Sequence, residues 1–251
     1  MPAGFPAPFP PKGEEVFSSP FLPESIRAVF FDAVGTLIHP EPPAPAVYAA
    51  VGQRFGSQRT PADVAGRFRR AFRRQEELDY AAGLRTGEER EVARWRSIVA
   101  EVLDDVSNLE ACFEELFAHF ARPEAWRCAE DAAPVLAWLE TSGRMLGLAS
   151  NFDGRLRGVV AGLPALRPLR QLVISSEVGW RKPAPSFFEA VCQHAGLKSS
   201  QILLVGDDWV NDYQGARAFG MPTVLLDREN RHEVPAGERL ARLTDLLAQD
   251  S

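Results

Sequence analysis

A series of short apolar runs that end in polar groups constrains this chain more than any other feature. Ala28-Val-Phe-Phe31 ends in Asp32, Met145-Leu-Gly-Leu-Ala149 in Ser150-Asn151, and Ile202-Leu-Leu-Val205 in Gly206-Asp207-Asp208. Gln171-Leu-Val-Ile-Ser-Ser176 is followed by a connector, Glu177 to Pro185, that holds Lys182, and Thr223-Val-Leu-Leu226 ends in Asp227. Runs this short and unbroken read as strands buried on both faces. From Ala132 onward they alternate with helical stretches: Val135 to Leu139, one from near Arg155, Phe187 to Val191, Tyr213 to Phe219, and a last one ending near Leu247. Such alternation predicts an α/β fold, a Rossmann-like parallel sheet with helices on both faces. Parallel strands carry all their polar endings to one edge of the sheet, where ligands of open α/β sheets bind.

The alternation is interrupted directly after the first strand. Val34-Gly35-Thr36 breaks the run, and Gly35 can take backbone angles other residues avoid. An Asp in such a turn is also a common amide cap, so Asp32 alone carries little. His39-Pro-Glu-Pro-Pro43 reads as a hinge-like connector, because successive prolines block helix and strand alike. From about 44 to 126 the periodicity is helical. Val47, Val51 and Phe55 mark one helix, and Thr60-Pro61 caps a second that carries Phe68, Phe72, Leu78 and Tyr80. Thr86 with Glu89 predicts a capping box for a third helix through Trp95 to Val102, and Leu109 to Phe120 forms a fourth. Arg67, Arg69, Arg70, Arg73 and Arg74 line the second helix as a solvated face, with an anionic substrate as the alternative partner. Trp95 reads as core. The domain plan is a Pro-rich arm over 1–25, disordered or packed on the surface, a core formed by 26–40 and 127–251, and a helical insert over 41–126.

Bulk composition excludes several classes. The chain has 251 residues, 45% hydrophobic and 25% charged, with a net charge of -6 and no basic block, which gives nucleic acid no footprint. No apolar run approaches the ~20 residues of a membrane span, and the start lacks a signal peptide's basic end and apolar centre. Cys112, Cys128 and Cys192 sit at unrelated spacings, which fits neither a disulfide framework nor a zinc site and suits a reducing cytoplasm. The sequence leaves the oligomeric state open.

The strand ends bring together Asp32, Ser150-Asn151, Lys182 and Asp207-Asp208 with Asp212. Carboxylates crowded at one edge repel one another unless a cation is present. Oxygen-only ligands suit Mg²⁺, which takes a few carboxylates, waters and substrate phosphate. Lys182 can hold a nucleophilic carboxylate and a phosphoryl oxygen together, and Ser150 supplies a hydroxyl donor.

Asp32-Ala-Val-Gly-Thr-Leu37, Ser150-Asn151, Lys182-Pro183 and Gly206-Asp207-Asp208-Trp-Val-Asn-Asp212 resemble the four motifs of the haloacid dehalogenase (HAD) superfamily, over about residues 26 to 247. The insert resembles the C1 cap of subfamily I. Asn151-Phe-Asp153 and Tyr213-Gln-Gly-Ala-Arg-Ala-Phe-Gly-Met221 look like the group of HAD-like hydrolase domain-containing protein 3. The resemblance implies that Asp32 is a nucleophile forming an aspartyl intermediate. It implies Mg²⁺ on Asp32, Asp207 and the Val34 carbonyl, with Asp212 and Asp208 at the metal waters, and a phosphoryl group held by Ser150 and Lys182. Asn151 and Thr36 are then substrate-binding residues, and the substrate is a small phosphorylated or other anionic metabolite.

One position departs from that pattern. Family phosphatases carry a second Asp two residues after the nucleophile, a general acid–base worth about 10²–10⁴ in rate. Here that residue is Val34, which cannot move a proton. A phosphonatase would need a lysine in the cap, and none occurs between Lys12 and Lys182. The expected activity is a Mg²⁺-dependent phosphohydrolase. A catalytically weak or inactive binding scaffold is the alternative, and a metal-free 2-haloacid dehalogenase ranks lower because Asp207 and Asp208 would then lack a cation.

Overall fold

The computed structural model describes residues 19–235 and 237–247. Most of the Pro-rich arm, residues 1–18, lies outside the described residues. Its last segment packs on the core: Ser19 Oγ donates to the Leu246 carbonyl at 2.6 Å, and Leu22 is buried.

The strands are β1 (Ala28–Phe31), β2 (Ile38–Pro40), β3 (Trp126–Cys128), β4 (Met145–Ser150), β5 (Gln171–Ile174), β6 (Ile202–Gly206), β7 (Thr223–Leu226) and β8 (Arg239–Leu240). Six of them form one parallel sheet in the order β5-β4-β1-β6-β7-β8. β1 is central, pairing Phe31 with Leu148 on one side and with Val205 on the other. Its side chains alternate between two cores, as a strand buried on both faces requires. Val29 and Phe31 face a cluster with Leu136, Leu139 and Val159, whereas Ala28 and Phe30 face Phe187, Phe188 and Val191.

Helices α1 (Ala44–Arg54), α2 (Pro61–Ala81), α3 (Glu88–Val102) and α4 (Leu109–His119) form the insert, with its own core around Tyr48, Ala71, Ile98 and Leu116. The sheet carries α5 (Ala132–Thr141), α6 (Arg155–Gly162), α7 (Ser175–Val178), α8 (Pro185–Ala195) and α9 (Gly215–Phe219). No helix among the described residues is long and apolar enough to cross a membrane.

Local chemistry accounts for several boundaries. The Thr60 hydroxyl accepts from the Asp63 amide at 3.2 Å while Asp63 accepts from the Thr60 amide, so the α2 capping box is complete. The box expected at Thr86 and Glu89 does not form. Gly87 precedes α3, and the Thr86 hydroxyl instead donates to Glu91 at 2.6 Å. The connector at His39–Pro43 is also partly strand: β2 pairs antiparallel with β3, placing His39 opposite Arg127. Pro40 ends that ladder, so its missing N–H removes no interior bond. Leu78 and Tyr80, expected on the apolar face of α2, are exposed. The helix expected over Tyr213 to Phe219 starts as a π-helical turn, Trp209–Gln214, and the expected last helix is β8 followed by a 3₁₀ turn at Leu243–Leu247.

Gly147 sits opposite Phe30 in the β1–β4 ladder, and a Cβ there would overlap the Phe30 ring, which is fully buried. The ring therefore occupies the space a side chain would need. Gly147→Ala is expected to destabilise the fold by about 1–3 kcal/mol, the usual cost of overpacking a core, read as a lower urea midpoint with an unchanged slope.

Candidate active site

Groups at the ends of three strands converge on one ammonium group. Lys182 Nζ donates to Asp32 Oδ1 at 2.6 Å, to Asp212 Oδ1 at 2.5 Å and to the Ala149 carbonyl at 2.8 Å. An ammonium has three donors, so all are used. Lys182 is 2% exposed, and Asp32 and Asp212 are buried with it. Burial alone would discharge the lysine, but the Asp212 and Asp32 carboxylates outweigh it and hold it charged.

Each partner is placed by its own local device. The Asp32 amide donates to the Val205 carbonyl at 2.8 Å, which carries the β1 pairing one residue past the strand. The chain then turns at Gly35, φ +99°, where a Cβ would overlap the Asp207 carboxylate. Asp212 lies on the π-helical turn, and its carboxylate packs where a Cβ on Gly206 would stand. Its Oδ2 accepts from the Asp208 amide at 3.1 Å. Ser150 closes β4 and is buried directly after the carbonyl that receives Lys182.

Carboxylate oxygens of Asp32, Asp207 and Asp212 lie within 4.8 Å of one another. One lysine cannot neutralise three acids. Burial first, and then the neighbouring Asp212, push Asp207 up to about 6; burial and Asp32 push Asp212 up to about 7, against the pull of Lys182. Burial likewise raises Asp32, with Lys182 opposing and Asp207 adding to it. Asp207 keeps an edge open to the cleft, so a ligand can reach it, although packed atoms still desolvate it. An all-oxygen, over-negative, partly open donor set fits a divalent cation such as Mg²⁺.

Three residues assigned to ligands from the sequence are engaged with protein groups. Asp208 caps the π-helical turn, accepting from the Val210 and Asn211 amides at 2.9 and 2.8 Å and from the Asn211 side chain, so it lies outside the carboxylate group. Its position in the turn makes it a better cap than ligand. Thr36 is fully buried and donates to Asp207 Oδ1 at 2.9 Å, which orients that acid. Asn151 grips the Lys182 main chain, donating to its carbonyl at 2.9 Å and accepting from its amide at 2.7 Å. The Val34 side chain is 38% exposed and borders a cavity between the sheet edge and the insert.

That cavity holds about 450 Å³. Tyr48, Phe68, Phe72 and Trp95 of the insert border it, and Trp95, expected as core, packs against the insert's core while also lining the cavity. The arginines of α2 singled out in the sequence do not reach it. Arg67 instead binds Asp104 at 2.6 Å and the Glu101 carbonyl. The guanidiniums at the cavity are Arg94, Arg155 and Arg181. Arg181, next to Lys182, pairs with Glu91 of α3 and lies 3.5 Å from Asp79 of α2, which also binds Arg94 at 2.9 Å. These buried pairs tie the insert to the lysine loop. The doublet Arg181-Lys182 was the available sequence signal, but its partners lie some ninety residues away.

The chain matches the haloacid dehalogenase-like hydrolase family over residues 26–220. It is 31% identical over 236 residues to haloacid dehalogenase-like hydrolase domain-containing protein 3 of Homo sapiens, covering 88% of this chain and 92% of the relative. A phosphoglycolate phosphatase of Rhodospirillum rubrum is 28% identical over 204 residues, 80% of this chain and 79% of its own. The fold matches L-2-haloacid dehalogenase from Xanthobacter autotrophicus with a TM-score of 0.68 at 19% identity, over 88% of this chain and 97% of that one. The protein belongs to the haloacid dehalogenase-like hydrolase family.

The raised acids set a pH dependence. Asp207 and Asp212 hold protons more tightly folded than unfolded, so their contribution to stability is full below about 4 and is lost as pH rises through about 7. A cation bound there would compete with those protons. Added Mg²⁺ should raise the melting temperature most above pH ~7, and the increment should vanish as both acids protonate, below pH ~5. Asp212→Asn should abolish the increment at every pH, measured by differential scanning calorimetry.

Proposed function

We propose that this protein is a Mg²⁺-dependent phosphohydrolase that passes the phosphoryl group of a small phosphorylated metabolite to Asp32 and then to water. The observation that carries this reading is the buried Asp32 carboxylate, held at 2.6 Å by Lys182 beside two further acids. Asp32 would be the nucleophile. One of its oxygens is fixed by Lys182, which leaves the other to attack phosphorus in line with the leaving oxygen. Asp32, Asp207 and Asp212, with the Val34 carbonyl, would hold Mg²⁺, whose charge would offset that of the transferring phosphoryl oxygens. Ser150 would donate to one of those oxygens, and Lys182 would steady both nucleophile and phosphoryl group. Asn151 holds the lysine's backbone, so it acts on position rather than chemistry. The helical insert would serve as a cap that excludes water from the reacting centre. Three free cysteines are compatible with a reducing cytoplasm.

Val34 favours a second reading, a HAD scaffold that binds without turnover. The residue that would shuttle the proton is apolar here and open to the cavity. A metal-free 2-haloacid dehalogenase stays lower, since Asp207 and Asp212 would then share the site with Asp32 and one lysine alone.

Phosphate release from a broad phosphometabolite panel, with Mg²⁺ and with chelator, separates these readings. Wild type should release phosphate only with Mg²⁺, and Asp32→Asn should lose activity by at least about 10³-fold. Val34→Asp should raise turnover of poor leaving groups by about 10²-fold or more. Tight Mg²⁺ binding without release by wild type, with activity gained in Val34→Asp, would replace the hydrolase with the binding scaffold.

A further inference from the structure

The cavity between the insert and the sheet edge, which reaches the carboxylate group's neighbours Val34 and Asn151, has two properties that bear on the leaving group. The first is its lining. Its walls are aromatic and aliphatic, and most polar side chains at its border are already engaged. Asn151 is bonded to the Lys182 main chain, Arg181 to Glu91, and Arg155 to Asp153 at 2.7 Å while lying 3.5 Å over the Phe117 ring. Arg94 lies 4.7 Å over Phe72 and keeps one unpartnered donor, Nη2. A polyhydroxy group placed there would give up water and find few free partners for its hydroxyls, Arg94 Nη2 among them. An aromatic ring would instead exchange water for edge and face contacts with other rings. About 450 Å³ exceeds the ~150 Å³ that holds one benzene, so one or two rings fit.

The second property is Val34, which borders the same cavity and cannot protonate a departing oxygen. A leaving group must then depart as an anion. Phenols ionise near ~10, whereas aliphatic alcohols are about as weakly acidic as water, at ~15.7. Cavity and missing acid thus select the same chemistry independently.

On the phosphohydrolase reading, we propose that the substrate is the phosphate monoester of a phenol, with its one or two rings seated in the cavity between the insert and the sheet edge. Asp32 forms an O–P bond as the P–O(aryl) bond breaks, and the phenolate leaves with the electron pair and takes a proton from solvent. Water then attacks the aspartyl phosphate, the P–O(Asp32) bond breaks, inorganic phosphate departs, and the water's proton passes to solvent. Neither step needs a protein acid, which is the role Val34 cannot fill.

The test compares kcat/KM for phenyl phosphates of graded phenol acidity, 1-naphthyl phosphate, hexyl phosphate, glucose 6-phosphate and acetyl phosphate, all with Mg²⁺. Aryl phosphates should exceed hexyl and glucose esters by on the order of a hundredfold, with rates rising steadily as the phenol becomes more acidic. Val34→Asp should flatten that dependence and raise the hexyl ester most. Phe72→Ala, with Trp95→Ala as a second variant in case the first fails to fold, should raise KM for 1-naphthyl phosphate about tenfold more than for acetyl phosphate, which is too small to fill the cavity. Glucose 6-phosphate or hexyl phosphate turned over as well as the aryl esters would overturn the inference and leave the phosphohydrolase standing. No release from any ester, acetyl phosphate included, would overturn the phosphohydrolase itself and this substrate class with it.

Discussion

The sharing of one buried ammonium by Asp32 and Asp212 is the constraint on which the rest of the site depends. Both contacts are close to 2.5 Å, and the third donor of Lys182 is spent on the Ala149 carbonyl. A buried ion pair keeps its place only when its remaining donors and acceptors are satisfied. Much of the surrounding architecture serves that condition. Asn151 clamps the backbone of Lys182, Asp208 fixes the π-helical turn that presents Asp212, and Thr36 orients Asp207. Residues that resemble ligands in the sequence are in this sense the frame that holds the carboxylate group.

The lysine loop has a second attachment. Arg181 is buried against Glu91 and Asp79 of the insert, one residue before the lysine that reaches Asp32. The insert is thereby tied to the same short segment as the Asp32 carboxylate, through charges that would be costly to leave unpaired. The antiparallel pair of β2 and β3 joins the two chain crossings into one ribbon. Insert and sheet then meet over a cavity that is aromatic on the insert side and ends at Val34 and Asn151 on the sheet side.

Much of this was legible in the amino-acid order. Short unbroken apolar runs marked the strands because both faces of the sheet are covered, as Val29 and Phe30 demonstrate by facing different cores. Thr60-Pro61 marked the start of α2 because a cap acts within three residues. Thr86 and Glu89 misled because a tertiary partner changed what the capping residue touches: Glu91, buried against Arg181, draws the Thr86 hydroxyl inward. Proline misled at Pro40 because a proline at a strand's end costs no ladder bond.

By itself the sequence determined that Asp32, Ser150, Lys182 and Asp207 stand at one sheet edge, since parallel strands can deliver their ends nowhere else. It also determined that an apolar residue, Val34, stands two positions after Asp32. Only the tertiary structure decided that Asp212 joins the carboxylate group while Asp208 stays behind as a cap. The two differ by how a π-helical turn aims side chains four residues apart, and that turn exists only once packed. The tertiary structure alone also decided which arginines reach the cavity. Asp79, Glu91 and Arg181 find one another across long stretches of chain, and burial makes those pairings obligatory in a way that neighbouring residues cannot reveal.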